Sequence, residues 1–287
     1  MMLFKILILA IVQGAAELLP VSSSAHVIVA EKLMGLDPVS PEMTLLLVML
    51  HTGTMFAVIV YFWSAWRANY FRSLEAFLSF AKLLAVATAF TGAVGLLLKS
   101  LIEKVVFRNV PHAEVELLFG NMTLIAVSLF IVGLFIIYAG VNANRTSDRL
   151  SLGLKESSWI GAIQGLCLPF RGFSRSGATI SMGLTLGIGK VRVEEFSFAL
   201  AVVLTPPVIA REVLRLLNAH SAALSQTSPL LTLFYPSFVA MVFSFISGIL
   251  ALRWLSRWLD RGLWHVFGYY CLAASIIVFT LHSMIGI

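Results

Sequence analysis

Six stretches of this sequence are apolar over enough residues to cross a bilayer, near 43–63, 80–98, 118–140, 196–217, 230–252 and 264–286. A helical crossing takes about 20 residues, so a chain patterned this way is committed to an all-α polytopic membrane fold. Two further apolar regions are broken. Residues 2–36 contain Gln13, Glu17, Pro20 and the run Ser22-Ser23-Ser24, and residues 157–189 contain Gln164, Pro169, Arg171, Arg175 and several glycines. Neither holds an uninterrupted span. Each reads as a re-entrant pair of short helices that dips into the membrane and returns to the same face. Such a break is tolerated only where it is buried in protein or lines a cavity.

Composition agrees with that class, at 59% hydrophobic and 12% charged residues. In a soluble domain the net charge of +6 would suggest nucleic acid; here it belongs to the loops, and no nucleic-acid partner is expected. Cys167 and Cys271 lie far apart in apolar runs and indicate neither a disulfide framework nor a metal site. No small-residue cleavage site precedes the polar stretch at Gln13–Glu17, so a cleaved signal peptide is not expected.

The charges test the layout. With both broken regions re-entrant, the loops at 64–79, 141–158 and 253–263 share one face. They carry Arg67, Arg72, Arg145, Arg149, Lys155, Arg253, Arg257 and Arg261 against Glu75, Asp148, Glu156 and Asp260. The positive-inside rule makes that face cytoplasmic, which puts both termini and the loops at 99–117 and 218–229 outside. The outer loop 99–117 is mixed: Lys99, Lys104 and Arg108 are accompanied by Glu103, Glu114 and Glu116. If either broken region crossed once instead, the basic loops would scatter over both faces.

The two broken regions echo each other. The spacing that carries Val12-Gln13-Gly14 onto Ile163-Gln164-Gly165 also carries Ser23 onto Ser174 and Ser24 onto Arg175. The spans that follow contain His51-Thr52-Gly53-Thr54 in one half and Thr205-Pro206-Pro207 in the other, both read as polar or helix-breaking interruptions. A three-span unit repeated after an odd number of crossings must be inverted. The expectation is therefore one integral membrane domain over 1–287, with repeat halves of approximately 1–140 and 141–287, whose broken helices meet near the midplane and build the binding site there.

In the first turn Gln13 and Glu17 share a helical face, Pro20 stops that helix, and a serine at 22 or 23 caps the next. His26 follows Ser22 by four residues and Ser23 by three, close enough for a Ser–His hydrogen bond. Plain capping explains any single serine as well as function does. Glu17 is harder to dismiss, because a carboxylate at membrane depth is rarely structural. In the second turn, Gly172-Phe173-Ser174-Arg175-Ser176-Gly177-Ala178-Thr179, Ser174 caps a helix whose N-terminus attracts anions. The Arg175 fork matches phosphate oxygens, and Ser174, Ser176 and Thr179 offer hydroxyls. Other polar residues take bland readings. His51 is expected to bond a neighbouring helix. His112, His220, His265 and His282 lie near loops or ends, and Trp63, Trp66, Trp159, Trp254, Trp258 and Trp264 fall at span ends as an aromatic belt.

Together the turns resemble the signature of the undecaprenyl-diphosphate phosphatase family, also known for bacitracin resistance. That signature is an (E/Q)-x-x-x-E stretch leading into L-P-V-S-S-x-x-H, and a P-G-x-S-R-S-x-x-T motif. This chain has Gln13 and Glu17, Leu19-Pro20-Val21-Ser22-Ser23, His26, and Gly172 through Ser176 with Thr179; Leu50-His51-Thr52-Gly53-Thr54 is similar to the family's third span. The resemblance implies hydrolysis of undecaprenyl diphosphate to undecaprenyl phosphate, recycling the carrier for cell-wall synthesis. It also implies the bacterial cytoplasmic (inner) membrane, a cavity open to the periplasm, membrane lipids as surroundings and a homodimer in many members. Carried over by position, Ser23 is the nucleophile and His26 its general base or orienting group. Glu17, helped by Gln13, holds Mg²⁺ or another divalent cation, or manages protons. Arg175, Ser174 and Thr179, with Ser22 and Ser176, bind the diphosphate. Two departures stand out. Arg171 occupies the position where the family usually has proline; the change either loosens the turn or adds a second phosphate-binding cation, and the second is the expectation taken forward. Arg211, near the outer end of its span, is expected to snorkel. A different class, a lipid-phosphate transporter or flippase, would use the same intramembrane cradle; the Ser23–His26 spacing is what favours hydrolysis.

Overall fold

The two broken regions are where the helices are short. The structure, a computed structural model, describes residues 2–36, 41–108, 115–143, 151–222 and 230–285. Within them the first broken region forms α1 (Met2–Leu18) and α2 (Ser23–Leu33), and the second forms α6 (Leu154–Cys167) and α7 (Arg175–Thr185). Pro20 accounts for the first stop, since the residue before a proline is pushed out of helical geometry. The remaining helices are long: α3 (Pro41–Asn69), α4 (Leu74–Val105), α5 (Met122–Ala143), α8 (Lys190–Ala222), α9 (Leu230–Asp260) and α10 (Trp264–Ile285). These six are the helices long and apolar enough to cross a membrane among the described residues, and each covers one of the expected spans.

Two expected interruptions are absent. α3 runs unbroken through 51–54 because its polar side chains turn back onto their own helix: Thr52 Oγ1 donates to the Val48 carbonyl at 2.8 Å and Thr54 Oγ1 to that of His51 at 2.9 Å. α8 likewise continues through Pro206 and Pro207. The aromatic belt is also only partly right. Trp63, Trp159 and Trp254 are exposed, but Trp66 and Trp264 are buried, and Trp264 Nε1 donates to Ser181 Oγ at 2.9 Å. Trp264 is a core residue that pins α10 to α7.

The helices pair in a regular way. α3 packs on α8, and α5 on α10; α1 lies against α9 as α6 lies against α4; α1 touches α2 as α6 touches α7. Exchanging each helix of the first five for the corresponding one of the second five leaves these pairings unchanged, whereas α5 on α7 and α1 on α3 have no exchanged pairing of like extent among the described residues. Both short-helix contacts are close because glycines remove the side chain from the seam, as in other membrane helix interfaces. A Cβ on Gly14 would fall 1.9 Å from Ser247 Oγ and 2.4 Å from the Ser244 carbonyl of α9. One on Gly161 would fall 2.2 Å from the Ala87 carbonyl of α4. Gly92, also on α4, would meet nothing within 4 Å.

Gly14→Ala is therefore expected to cost about 2 kcal/mol by forcing α1 off α9. Gly92→Ala should instead be neutral or stabilising by up to about 1 kcal/mol. Thermal unfolding of the two variants in detergent checks the contrast.

Candidate active site

The first turn contains a strained residue. Ser22 has φ 67° and ψ 94° and is the one non-glycine residue with positive φ among the described residues. That conformation costs on the order of 1–3 kcal/mol and persists only where the surroundings enforce it. It redirects the chain after the turn that follows α1 and starts α2 at Ser23, so that Ser23 presents its hydroxyl at a helix N-terminus. In the second turn the positive φ falls on Gly172, at 96°, which glycine adopts without strain and where a Cβ would sit 2.5 Å from the Ile125 carbonyl. Ser174 then caps α7 as its sequence position suggests, its Oγ accepting from the Gly177 N–H at 3.2 Å. The two turns are tied together: the Gly172 N–H donates to Ser24 Oγ at 3.3 Å, and Ser176 Oγ donates to the Leu19 carbonyl at 3.3 Å.

At the junction the charges meet. Arg175 Nη2 donates to Glu17 Oε1 at 3.1 Å. The other carboxylate oxygen accepts from Ser23 Oγ at 2.6 Å and from Gln13 Nε2 at 3.2 Å. Gln13 Nε2 also lies 3.4 Å from His51 Nε2, while His51 Nδ1 donates to the Leu47 carbonyl at 2.8 Å. Because that carbonyl can only accept, Nδ1 carries a proton. Arg175 Nη1 is buried and has no hydrogen-bond partner. An unmatched guanidinium donor is costly in an interior.

These groups line one cavity of about 620 Å³, together with Ser22, Ser24, Ser174, Ser176, Arg171, Glu31 and Glu212. Arg171 is held on its wall with its guanidinium carbon 4.5 Å from the centre of the Phe119 ring. Two expected contacts are corrected. Ser23 is bonded to Glu17, not His26; His26 Nδ1 donates to the Ser22 carbonyl at 2.8 Å, and its Nε2 lies 2.6 Å from Tyr270 Oη. The short Ser22 turn swings the imidazole to the far side of α2, into a separate apolar pocket of about 300 Å³ lined by Trp254, Trp258, Phe267 and Tyr270. Thr179 is fully buried behind the cavity, its Oγ1 at 2.8 Å from the Arg175 carbonyl and 2.6 Å from Ser197 Oγ. It braces the turn that carries Arg175 rather than facing a ligand.

A sequence profile described as Bacitracin resistance protein BacA matches residues 6–277. The chain belongs to the BacA family. It is 56% identical to Undecaprenyl-diphosphatase 2 of Acinetobacter baylyi over 286 residues, spanning 97% of this chain and 98% of that protein. It is 34% identical to Undecaprenyl-diphosphatase of Methanobrevibacter smithii over 96% of each chain, and 31% identical to Undecaprenyl-diphosphatase of Rhodopirellula baltica over 98% of each.

In this BacA-family chain the two sequence motifs thus fall on one cavity. Several polar residues of the cavity and its surroundings escaped the sequence reading as site residues, among them Ser24, Glu31, Glu212 and Tyr270. Ser24 had a usable signal, since it shares register with Arg175. Glu31 and Tyr270 had none, because only the fold brings α2 against the cavity wall and α10 against the first turn. Glu17, with Gln13 beside it, would hold a divalent cation through a single carboxylate, the rest of the coordination shell coming from substrate phosphates and water. Among the described residues no three His, Cys, Asp or Glu side chains converge. Glu17, the carboxylate assigned to the metal, also accepts from Arg175, Ser23 and Gln13, and Mg²⁺ demands near-octahedral oxygen coordination.

Titration of Mg²⁺ into the purified, substrate-free protein is accordingly expected to give no calorimetric binding at micromolar to low-millimolar concentration. Saturable one-site binding that disappears in Glu17→Gln would overturn this account of the carboxylate.

Proposed function

We propose that this chain hydrolyses undecaprenyl diphosphate to undecaprenyl phosphate and inorganic phosphate, the activity for which its relatives are named. The observation that carries the reading is the Ser23–Glu17–Arg175 cluster, in which a hydroxyl, its proton acceptor and a cation with an unmatched donor share one cavity. In this reading the geometry supports attack by Ser23. Glu17 Oε2 takes the Ser23 proton as Ser23 Oγ bonds to the terminal phosphorus. The bridging P–O bond breaks, and undecaprenyl phosphate leaves with the electron pair. Glu17 passes its proton to solvent, then takes one from the water that attacks the phosphoserine and returns it to Ser23 Oγ as the serine–phosphorus bond breaks. Arg175, with the hydroxyls of Ser22, Ser174 and Ser176, neutralises and positions the phosphoryl oxygens, which is most of what such a transfer requires. Arg171 serves the phosphate still attached to the lipid. A divalent cation enters as a companion of the diphosphate. The relatives named above are all called undecaprenyl-diphosphatases, which favours hydrolysis over the transporter alternative.

The fold proposed around this site is an inverted repeat with two re-entrant pairs. It is supported by the helix pairings preserved on exchanging the halves and by three candidate spans in each half. Basic residues on the loops joining α3 to α4 and α9 to α10 favour a cytoplasmic location for that face. The cavity is lined by Lys32, Leu36, Thr44, Phe119 and Glu212, which border the opposite loops, so it opens to the periplasm and both termini lie there.

Purified protein in detergent should release phosphate from polyprenyl diphosphate. Glu17→Gln should lower kcat at least about 100-fold and Arg175→Ala about 100- to 1000-fold. No release by the unaltered protein beside an active control sinks the phosphatase reading, and full activity in Arg175→Ala sinks the site. For orientation, a reporter enzyme active only in the periplasm should be active when fused to the C-terminus and inactive when fused within the loop at 70–73.

A further inference from the structure

The mechanism above leaves His26 without a reaction to perform, yet His26 is the most constrained imidazole near the site. Its Nδ1 donates to the Ser22 carbonyl at 2.8 Å, and because a carbonyl cannot donate, that nitrogen carries the proton. Its Nε2 is then an acceptor and takes the hydrogen of Tyr270 Oη at 2.6 Å. The Tyr270 hydroxyl therefore selects the tautomer that lets His26 grip Ser22. The residue gripped is the strained one at φ 67°, immediately before Ser23. The next residue of α10 completes the hold, with Cys271 Sγ donating to the Pro20 carbonyl at 3.2 Å. Two successive residues of α10 thus secure both ends of the turn. Apolar side chains, Trp254, Trp258 and Phe267, flank the His26–Tyr270 bond, and Tyr270 itself lies at the exposed surface of α10.

We propose that Tyr270 is a positioning residue that acts through the tautomer of His26 to hold the strained Ser22 backbone, and with it the Ser23 hydroxyl, against Glu17. His26 then works as a backbone clamp and not as a proton acceptor from Ser23. This inference rests on the reading of Ser23 as the attacking group.

The test uses the full chain in detergent, with His26→Asn, His26→Ala and Tyr270→Phe. The amide of Asn can still donate to the Ser22 carbonyl but cannot serve as a base, so it separates the two roles. His26→Ala should lower kcat about 100-fold through misplacement of Ser23, and His26→Asn should recover at least about tenfold of that loss. Tyr270→Phe should lower kcat about tenfold, the scale of one lost hydrogen bond, with KM within about twofold. The ¹⁵N spectrum of histidine-labelled protein, with the His26 signals assigned by their loss in His26→Asn, should show the Nδ1–H tautomer and a shift toward mixed tautomers in Tyr270→Phe. Either an Nε2–H tautomer in the unaltered protein, or His26→Asn as inactive as His26→Ala with Tyr270→Phe unaffected, overturns the proposal. Unchanged activity in Ser23→Ala would remove the nucleophile reading beneath it, an outcome distinguishable because the ¹⁵N signature reports the clamp without reference to turnover.

Discussion

The ion pair between Glu17 and Arg175 is the interaction on which the site depends. Each charge sits in an apolar environment where alone it would be strongly unfavourable, and each is supplied by a different broken helix. The pair makes the carboxylate a fixed acceptor for Ser23 and holds the guanidinium at the cavity with its second terminal nitrogen unpartnered. Its 3.1 Å geometry is maintained from behind. Thr179 braces the turn that holds Arg175, and Gln13, itself positioned by His51, braces Glu17. Removing one partner would leave the other buried and unpaired, which in protein interiors is far more damaging than removing both.

The local breaks in the backbone are what bring the pair together. A continuous helix through residues 2–36 would carry Ser23 well over one turn beyond Glu17 and onto a different face. The left-handed Ser22 folds α2 back instead, so residues six apart in sequence meet at 2.6 Å. Gly172 does the same for the second pair, at a point where the Ile125 carbonyl leaves no room for a side chain.

Much of this was legible in the sequence, for identifiable reasons. The six spans follow from apolar run length alone, and the two turns follow from Pro20, Gly172 and the serines that cap the next helices. Glu17 and Arg175 stood out because ionisable residues are rare in apolar segments. What the sequence could not convey was direction. Ser23 and His26 are three residues apart on paper, but the strained turn sends one side chain into the polar cavity and the other into an apolar pocket. Thr179 lies one turn beyond Arg175, and helical spacing alone does not say that Ser197 stands behind it. Thr52 and Thr54 looked like interruptions because polarity in a span resembles a break, while their hydroxyls were satisfying their own helix.

The division of charge between the halves also bears on how the protein assembles. The first half contributes the carboxylate and the second the guanidinium, and the glycine seams fix α1 on α9 and α6 on α4, so each broken helix is anchored on a span from the other half. A half inserted into the membrane alone would expose one uncompensated charge and one ungripped seam. Assembly of the two halves should therefore be strongly cooperative, with the completed ion pair separating the folded protein from any half-built intermediate, the species that quality-control proteases in the membrane are suited to recognise.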